Sequence, residues 1–418
     1  MDISSLCLTF GDVLTYAFYI IIALVVLLIM ITIHEFGHFI AGRKLGFKIN
    51  EFAVGFGKIL LKHTTKDGIL VTLRLIPLGG YCAFEGEDED SLNPNAFNNQ
   101  PPWKRLIVLF NGAFFNFLSA VLISFVLLMT FGYGDLVQVK SVEPYATNVS
   151  ELQVDDVIYE VNGVETNFLY DNYFSTLLQK VDVGEEFIVK VKRDGEFKEL
   201  TLQNGMQFFK YQYESKNAYE LIDGNVVVEK VDNNYIVTDI ADNSEVANIE
   251  SKDDDELFTF IYKDHKYVFD IQSGEVYSAY LGITIGNYVY SFGEAFVKAV
   301  PFTCEWAWKI LELLWQLITG QMGLEGVGGP ITTIGAMATY TQSSWINLLI
   351  LFPLISVNLA VFNLLPFPAL DGARMVFVAI EWIRGKPINR NIEGYIHTVG
   401  LIILFGFVIL VDALNLLF

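Results

Sequence analysis

The residues with the most chemistry to offer are His34-Glu35-Phe36-Gly37-His38, an H-E-x-x-H pattern. On a helix, positions i and i+4 share a face, so both imidazoles can reach one Zn²⁺ at the usual ~2.0–2.1 Å bond length. Glu35 leaves the helix about 100° away from His34 and can hold a water on the metal without being a ligand. The pattern closes an uncharged run of 21 residues, Val13 to Ile33. Accidental matches of this kind occur on charged surface helices. Two imidazoles and a carboxylate at the end of an apolar span are costly to place near hydrocarbon, which makes them functional by default. A hydrolytic site needs a third protein ligand and one open position for water.

The elements that must position these residues are membrane helices. The 418 residues are 53% hydrophobic, with a mean hydropathy of +0.41, too apolar for one soluble domain of this size. The chain therefore reads as a polytopic α-helical membrane protein with four transmembrane helices, at 13–38, 106–131, 346–370 and 395–411. The first helix is expected to continue to Ala41 and stop at Gly42-Arg43-Lys44. Nine basic residues lie between Arg43 and Arg105 and none in residues 1–12. The positive-inside rule places that loop in the cytoplasm and both termini outside.

Within the loop, Asn50–Lys62 and Gly68–Phe84 have β character. Ile69–Ile76 is the clearest strand, ended by Pro77-Leu78-Gly79-Gly80-Tyr81. The pair Gly79-Gly80 marks either a turn or the close approach of another backbone. Residues Glu85–Gln100 read as a mobile loop. Asn111 and Asn116 in span two should face other helices or a wet cavity.

Residues 132–300 hold 31 Asp and Glu against 13 Lys and Arg, most of the chain's net charge of −21. This is a solvated acidic region on the outside, and nucleic acid is an unsuitable partner. Short strands with Asn162-Gly163 and Asp194-Gly195 turns fill 132–205, and 206–286 continue as an additional β unit. In 287–343, Trp306, Trp308 and Trp315 suggest an amphipathic interfacial helix, followed by a Gly-rich segment. Domains are thus expected at 1–131, 132–205, 206–286, 287–343 and 344–418. Cys7, Cys82 and Cys304 are too scattered for a disulfide framework or a thiolate zinc site.

Asp371, at the end of span three in Leu370-Asp371-Gly372, is the better candidate for the third ligand. With four spans, spans one and three run the same way, which puts His34 and Asp371 at one level. A fifth span at 302–320 would reverse span three. His397, at the start of span four, is the alternative. Pro353, Pro366 and Pro368 imply that span three is kinked or unwound near its end.

These features together resemble the site-2 protease family of intramembrane zinc metalloproteases, in its bacterial RseP type. The resemblance rests on the H-E-x-x-H pattern, Val54-Gly55-Phe56-Gly57, Pro77 to Tyr81, Gly328-Gly329-Pro330-Ile331, Ser356-Val357-Asn358-Leu359 and Asn363 to Gly372. It implies Zn²⁺ held by His34, His38 and Asp371, Glu35 as general base, and cleavage within transmembrane segments of single-span membrane proteins in the cell membrane. It also implies that the strand ending at Gly79-Gly80 belongs to a membrane-associated β-hairpin that pairs with extended substrate. Asn358 and Asn363 would line the substrate path. Residues 132–205 look like the family's PDZ domain.

The sequence departs from the family at Gly112-Ala113 and Ala373, where Gly-Pro and Gly are usual, and around Ser150–Asp156. Two other classes remain for comparison. A metal-free scaffold would ordinarily have lost one of the four polar site residues, and a transporter would need neither Glu35 nor an outside domain.

Overall fold

In hydrocarbon every backbone polar group must be satisfied within the chain, so long apolar runs become helices. The computed structural model describes all residues except 1–9, 88–90, 143–150, 167–172, 182–184, 204–210, 213–217, 222–225, 232–233, 240–243, 246–249, 252–256, 263–264, 271–274, 278–282, 324–327 and 418. The chain divides into a unit made of 1–130 and 290–418 and a second unit, 131–289.

In the first unit, helix α1 (Phe10–Leu45) contains the H-E-x-x-H pattern. Its 36 residues span about 54 Å, well beyond a ~30 Å hydrocarbon core. The expected stop at Gly42 does not occur. Gly42 stays helical because the Phe84 ring occupies the space a Cβ would need, at 2.3 Å. The helix ends instead before Gly46, whose φ of +82° is the left-handed conformation suited to glycine.

Strands β1 (Ile49–Thr64) and β2 (Leu70–Phe84) follow. β2 keeps extended conformation to Phe84 but reverses direction between Leu73 and Gly80, so the change expected near Pro77–Tyr81 is a bend within the strand rather than its end. Residues Glu51–Val54 have partners on both sides. Pairs Glu51 with Ala83 to Val54 with Gly80 run in opposite directions, and pairs Glu51 with Leu70 to Val54 with Leu73 ascend together. The end of β2 therefore has Glu51–Val54 along one edge. Gly79, at φ +124°, sits at the end of that reversal, and Gly80 pairs with Val54, where a Cβ would lie 2.7 Å from the Ala53 carbonyl oxygen. Both readings of this pair, a turn and the close approach of another backbone, have their counterpart here.

Residues 88–90 of the expected mobile loop lie outside the described residues, and the described remainder of Glu85–Gln100 is held by bonds. Asn93 Nδ2 donates to Glu85 Oε2 at 3.1 Å, Lys48 N to the Asn95 carbonyl at 2.9 Å, and Phe97 is buried in a cluster with Phe47, Phe84 and Leu109. Helix α2 (Pro102–Phe131) follows and meets α1 where Gly37 and His38 approach Val108–Gly112. Asn116 is fully buried, as expected of an amide facing inward.

The second unit contains β3 (Val137–Val142), β4 (Val157–Val161), β5 (Val164–Glu165), helix α3 (Phe174–Gln179), β6 (Glu186–Arg193) and β7 (Glu196–Gln203). After these come β8 (Tyr211–Gln212), β9 (Ala218–Leu221), β10 (Val226–Val231), β11 (Asn234–Asp239) and β12 (Ser244–Glu245). The last are β13 (Glu250–Ser251), β14 (Leu257–Tyr262), β15 (His265–Asp270), β16 (Glu275–Tyr277) and β17 (Ile283–Asn287). The Asn162-Gly163 and Asp194-Gly195 pairs adopt positive φ at both residues, as their hairpins require.

The first sheet has the order β17-β3-β4-β6-β7, so β17 from the far end of the unit completes it. A boundary at 205/206 thus separates strands that the fold pairs, a consequence of long-range pairing that local pattern does not reveal. The 206–286 region forms two sheets, β12-β11-β10-β9-β8 and β13-β14-β15-β16, rather than one. A core of Val139, Ile158, Phe187, Val189 and Leu202 underlies the first sheet, and Arg193 clasps the fully buried Asp156 carboxylate at 2.6 and 2.7 Å. Part of the unusual Ser150–Asp156 segment lies outside the described residues.

Back in the first unit, α4 (Phe292–Ile318) starts with a Ser291/Glu294 capping box. Its buried face lies on α2, where Thr303 meets Ser124, and Ile310 packs against Ala120 and Val357. α4 therefore has a lengthwise helix-packing face besides the exposed Trp308 and Trp315 expected of an interfacial helix. Helix α5 (Pro330–Ser343), where a Gly-rich segment was expected, carries Pro at its first turn.

Helix α6 (Trp345–Leu364) ends six residues earlier than expected for span three, just before Pro366 and Pro368. The charged stretch after it is not a loop but helix α7 (Asp371–Arg384), closed by left-handed Gly385. Helix α8 (Arg390–Leu417) follows. Among the described residues, α1, α2, α6 and α8 are long and apolar enough to cross a membrane. α4, interrupted by four charges within Lys298–Glu312, does not join them.

Candidate active site

The break between α6 and α7 brings Asp371 to α1. His34 Nε2 lies 3.0 Å and His38 Nε2 3.2 Å from Asp371 Oδ2, and the two imidazole Nε2 atoms are 3.2 Å apart. Both histidines are 7% exposed. His38 donates from Nδ1 to the Val108 carbonyl of α2 at 2.8 Å, which fixes its tautomer and leaves Nε2 with a lone pair. In the neutral ring that lone pair confronts a carboxylate oxygen, an encounter that either a proton on Nε2 or a metal ion between the two satisfies. The three edges are also close to the ~3.3 Å separation of ligands around a tetrahedral ion with ~2.0–2.1 Å bonds. The residues present therefore fit a zinc ion.

The link that delivers Asp371 is itself fastened. Ala369 adopts φ +84°, and its N–H donates to His397 Nδ1 at 2.9 Å. His397, the alternative third ligand, is thus engaged with the backbone, and the group with metal-ligand spacing is His34, His38 and Asp371. A Cβ on Gly372 would lie 2.3 Å from the Leu365 carbonyl oxygen, so this tight approach needs glycine.

Glu35 points toward β2, where its Oε2 accepts the Cys82 N–H at 3.0 Å. The strand is held there by a network on its far side: Glu51 accepts from Thr72 Oγ1 at 2.6 Å, Arg74 at 2.7 Å and Tyr81 OH at 2.9 Å. Burial alone would raise the Glu51 pKa, but these three donors outweigh it and hold the carboxyl below its usual range. A Cβ on Gly80 would stand 3.8 Å from Glu35 Cγ, whereas one on Gly79 would meet the Phe56 ring at 2.6 Å. Gly80 thus borders the site, and Gly79 serves the hairpin.

Glu35, His38, Tyr81, Cys82, Asp371 and Arg374 line a cavity of about 460 Å³. Asn358 and Asn363 on α6 lie outside that lining, the first exposed and the second half-buried. Cys82 and Cys304 are free thiols, and Cys7 lies outside the described residues.

Several contributors carry no legible sequence signal, among them the Val108 carbonyl and the Cys82 amide, because backbone groups belong to every residue type. Gly112 could have been suspected as a small residue in an apolar span. A Cβ there would lie 2.4 Å from His38 Nε2 and 2.8 Å from His34 Cε1. Gly37, inside the motif, lets α1 approach the Asn111 carbonyl, which a Cβ would meet at 2.2 Å.

Comparison with known proteins identifies the family. The chain is 29% identical to a protein named zinc metalloprotease RasP from Oceanobacillus iheyensis, over 92% of this chain and 95% of that one. It is 25% identical to protease RseP of Yersinia pestis, over 91% and 94%. It is 23% identical to the regulator of sigma E protease of Haemophilus influenzae, over 92% and 95%. A family profile matches residues 22–407, nearly the whole chain, and this protein belongs to peptidase family M50.

Proposed function

We propose that this protein is an intramembrane zinc metalloprotease that hydrolyses peptide bonds within transmembrane segments of other membrane proteins. His34, His38 and Asp371 are the zinc ligands and Glu35 is the general base. The observation that carries this reading is the convergence of two imidazole Nε2 atoms and one carboxylate oxygen within 3.0–3.2 Å at the end of an apolar helix. A zinc ion held by His34, His38 and Asp371 would supply Lewis acidity toward a water and the scissile carbonyl. Glu35 takes the proton of the attacking water and delivers it to the leaving nitrogen. The Cys82 N–H orients the Glu35 carboxylate for both transfers.

A transmembrane helix hides its carbonyls in hydrogen bonds, so the substrate must unwind locally. The end of β2 has Glu51–Val54 along one edge and presents Cys82 to Glu35, so an extended substrate adding beside Gly80–Phe84 would lie next to the general base. Asn358 and Asn363 line its approach. The substrates are single-span membrane proteins such as anti-sigma factors or signal-peptide remnants, the class that the family resemblance implies. Both termini and the 131–289 unit, read as PDZ-like with added sheets, lie outside the cell membrane, and the hairpin lies at its cytoplasmic side.

Two variants separate metal binding from proton transfer. Glu35→Gln should retain zinc in the purified protein yet lower cleavage of a single-span reporter by ~10²–10⁴-fold. Full activity in that variant would rule out the mechanism.

A further inference from the structure

The two histidines of the site differ in their second nitrogen. His38 Nδ1 has the Val108 carbonyl, but His34 Nδ1 is buried with no hydrogen-bond partner among the described residues. A metal-ligating histidine almost always gives its other N–H to an acceptor, which fixes the tautomer and the ring orientation. One helical turn beyond Gly112 on α2, Asn116 is fully buried, and both its carboxamide atoms, Nδ2 and Oδ1, also find no partner among the described residues. Unpaired amides are expensive anywhere, and more so in a membrane span.

Gly112 links the helix turns that carry the two orphans. A Cβ on Gly112 would stand 2.8 Å from His34 Cε1, the carbon bonded to Nδ1. Gly112 and Asn116 are i and i+4, with Cβ positions ~5–6 Å apart on the same helix face. A carboxamide one helical turn from the point where α2 meets the His34 ring can be joined to the imidazole N–H by a water, and buried waters characteristically join otherwise unsatisfied groups. We propose that Asn116 is a positioning residue for His34: its Oδ1 receives the Nδ1–H through a single bridging water, which keeps the His34 Nε2 lone pair aimed at the metal. Ser356 Oγ and Ser119 Oγ donate to the backbone carbonyl of Asn116, at 2.9 and 2.8 Å. They anchor the helix there and leave the carboxamide for this task.

The inference rests on the zinc reading above, and the test keeps the two apart. Zinc affinity is measured by chelator competition in the purified full-length protein. Asn116→Leu should weaken it by ~10–100-fold, Asn116→Asp, which keeps an acceptor, should not, and Ser356→Ala, which loosens the helix seam without touching the amide, should leave it unchanged. Normal affinity in Asn116→Leu, or an equal loss in Ser356→Ala, would overturn the assignment. A second measurement does not depend on the leucine variant folding: in the zinc-loaded wild type, the His34 imidazole N–H should be an exchange-protected proton resonance that shifts in Asn116→Asp. Absence of the resonance, or no shift, would also overturn it. A wild-type protein that bound no zinc would refute the zinc reading and this inference with it.

Discussion

Two aspartates in the membrane unit are held in opposite ways. Asp412, near the end of α8, is 4% exposed and meets donors: Ile331 N at 3.1 Å, Thr332 N at 3.0 Å and Thr332 Oγ1 at 2.9 Å, all at the start of α5. Its charge is matched by backbone N–H groups and the positive end of a helix dipole. Asp371, near the other end of α8, meets two imidazole nitrogens, one of them fixed as a lone-pair bearer by Val108. A carboxylate facing donors is complete within the protein and acts as a cap. One facing imidazole lone pairs is complete only with a proton or a metal ion between them. The partner set, not burial, separates the structural aspartate from the chemical one.

The sharpest way to break this comparison is to remove each side chain and measure zinc. Asp371→Ala should cost about two to three decades of zinc affinity, since ~10–16 kcal/mol shared over four ligands is about 2.5–4 kcal/mol each. Asp412→Ala should leave zinc affinity unchanged. Full zinc affinity in Asp371→Ala would mean the third ligand lies elsewhere, with His397 the first residue to examine. A smaller effect is expected from Gly112→Ala. The added methyl would lie 2.4 Å from His38 Nε2, whose ring cannot swing away without losing Val108. Overpacking of this kind costs ~1–3 kcal/mol, or roughly 5–150-fold in zinc affinity. Unchanged affinity would show that α1 and α2 can separate at no cost.

The same pair of residues shows what the sequence makes legible. Asp371 stands out because the H-E-x-x-H pattern demands a partner and hydropathy alone sets the level of each span. Asp412 falls one residue beyond the expected end of span four and is silent, since a lone acidic residue at a helix end looks like any interfacial charge. Its role depends on α5, itself unexpected because Gly328-Gly329-Pro330 reads as loop. α7 is hidden for a related reason: Arg374, Glu381 and Arg384 look like a cytoplasmic connection until Arg105 of α2, 4% exposed at its side chain, pairs with Glu381 at 2.6 Å. In the second unit the strands are legible from turn pairs such as Asp194-Gly195. The pairing of β17 with β3, across some 140 residues, is not. Local pattern carries elements and motifs, and tertiary partners carry the rest.

The smallest effect belongs to the cap. Replacing Asp412 with Leu removes the acceptor for three donors at the start of α5 and leaves the partly buried Ile331 and Thr332 N–H groups without it. Each such orphan costs ~1–3 kcal/mol, partly recovered if α5 shifts its first turn. Asp412→Asn is gentler. Its carboxamide oxygen can still accept from the Thr332 N–H, whereas its NH₂ faces donors and must turn away, and asparagine caps helices about as well as aspartate. That variant should lose less than about 1 kcal/mol, read as a small drop in the unfolding midpoint of the detergent-purified protein, with zinc affinity at the wild-type value. If Asp412→Asn instead weakened zinc as strongly as Asp371→Ala does, the two aspartates would be coupled through α8, and the separation of cap from ligand argued above would fail. A loss confined to stability would mean that each carboxylate answers to its own partners.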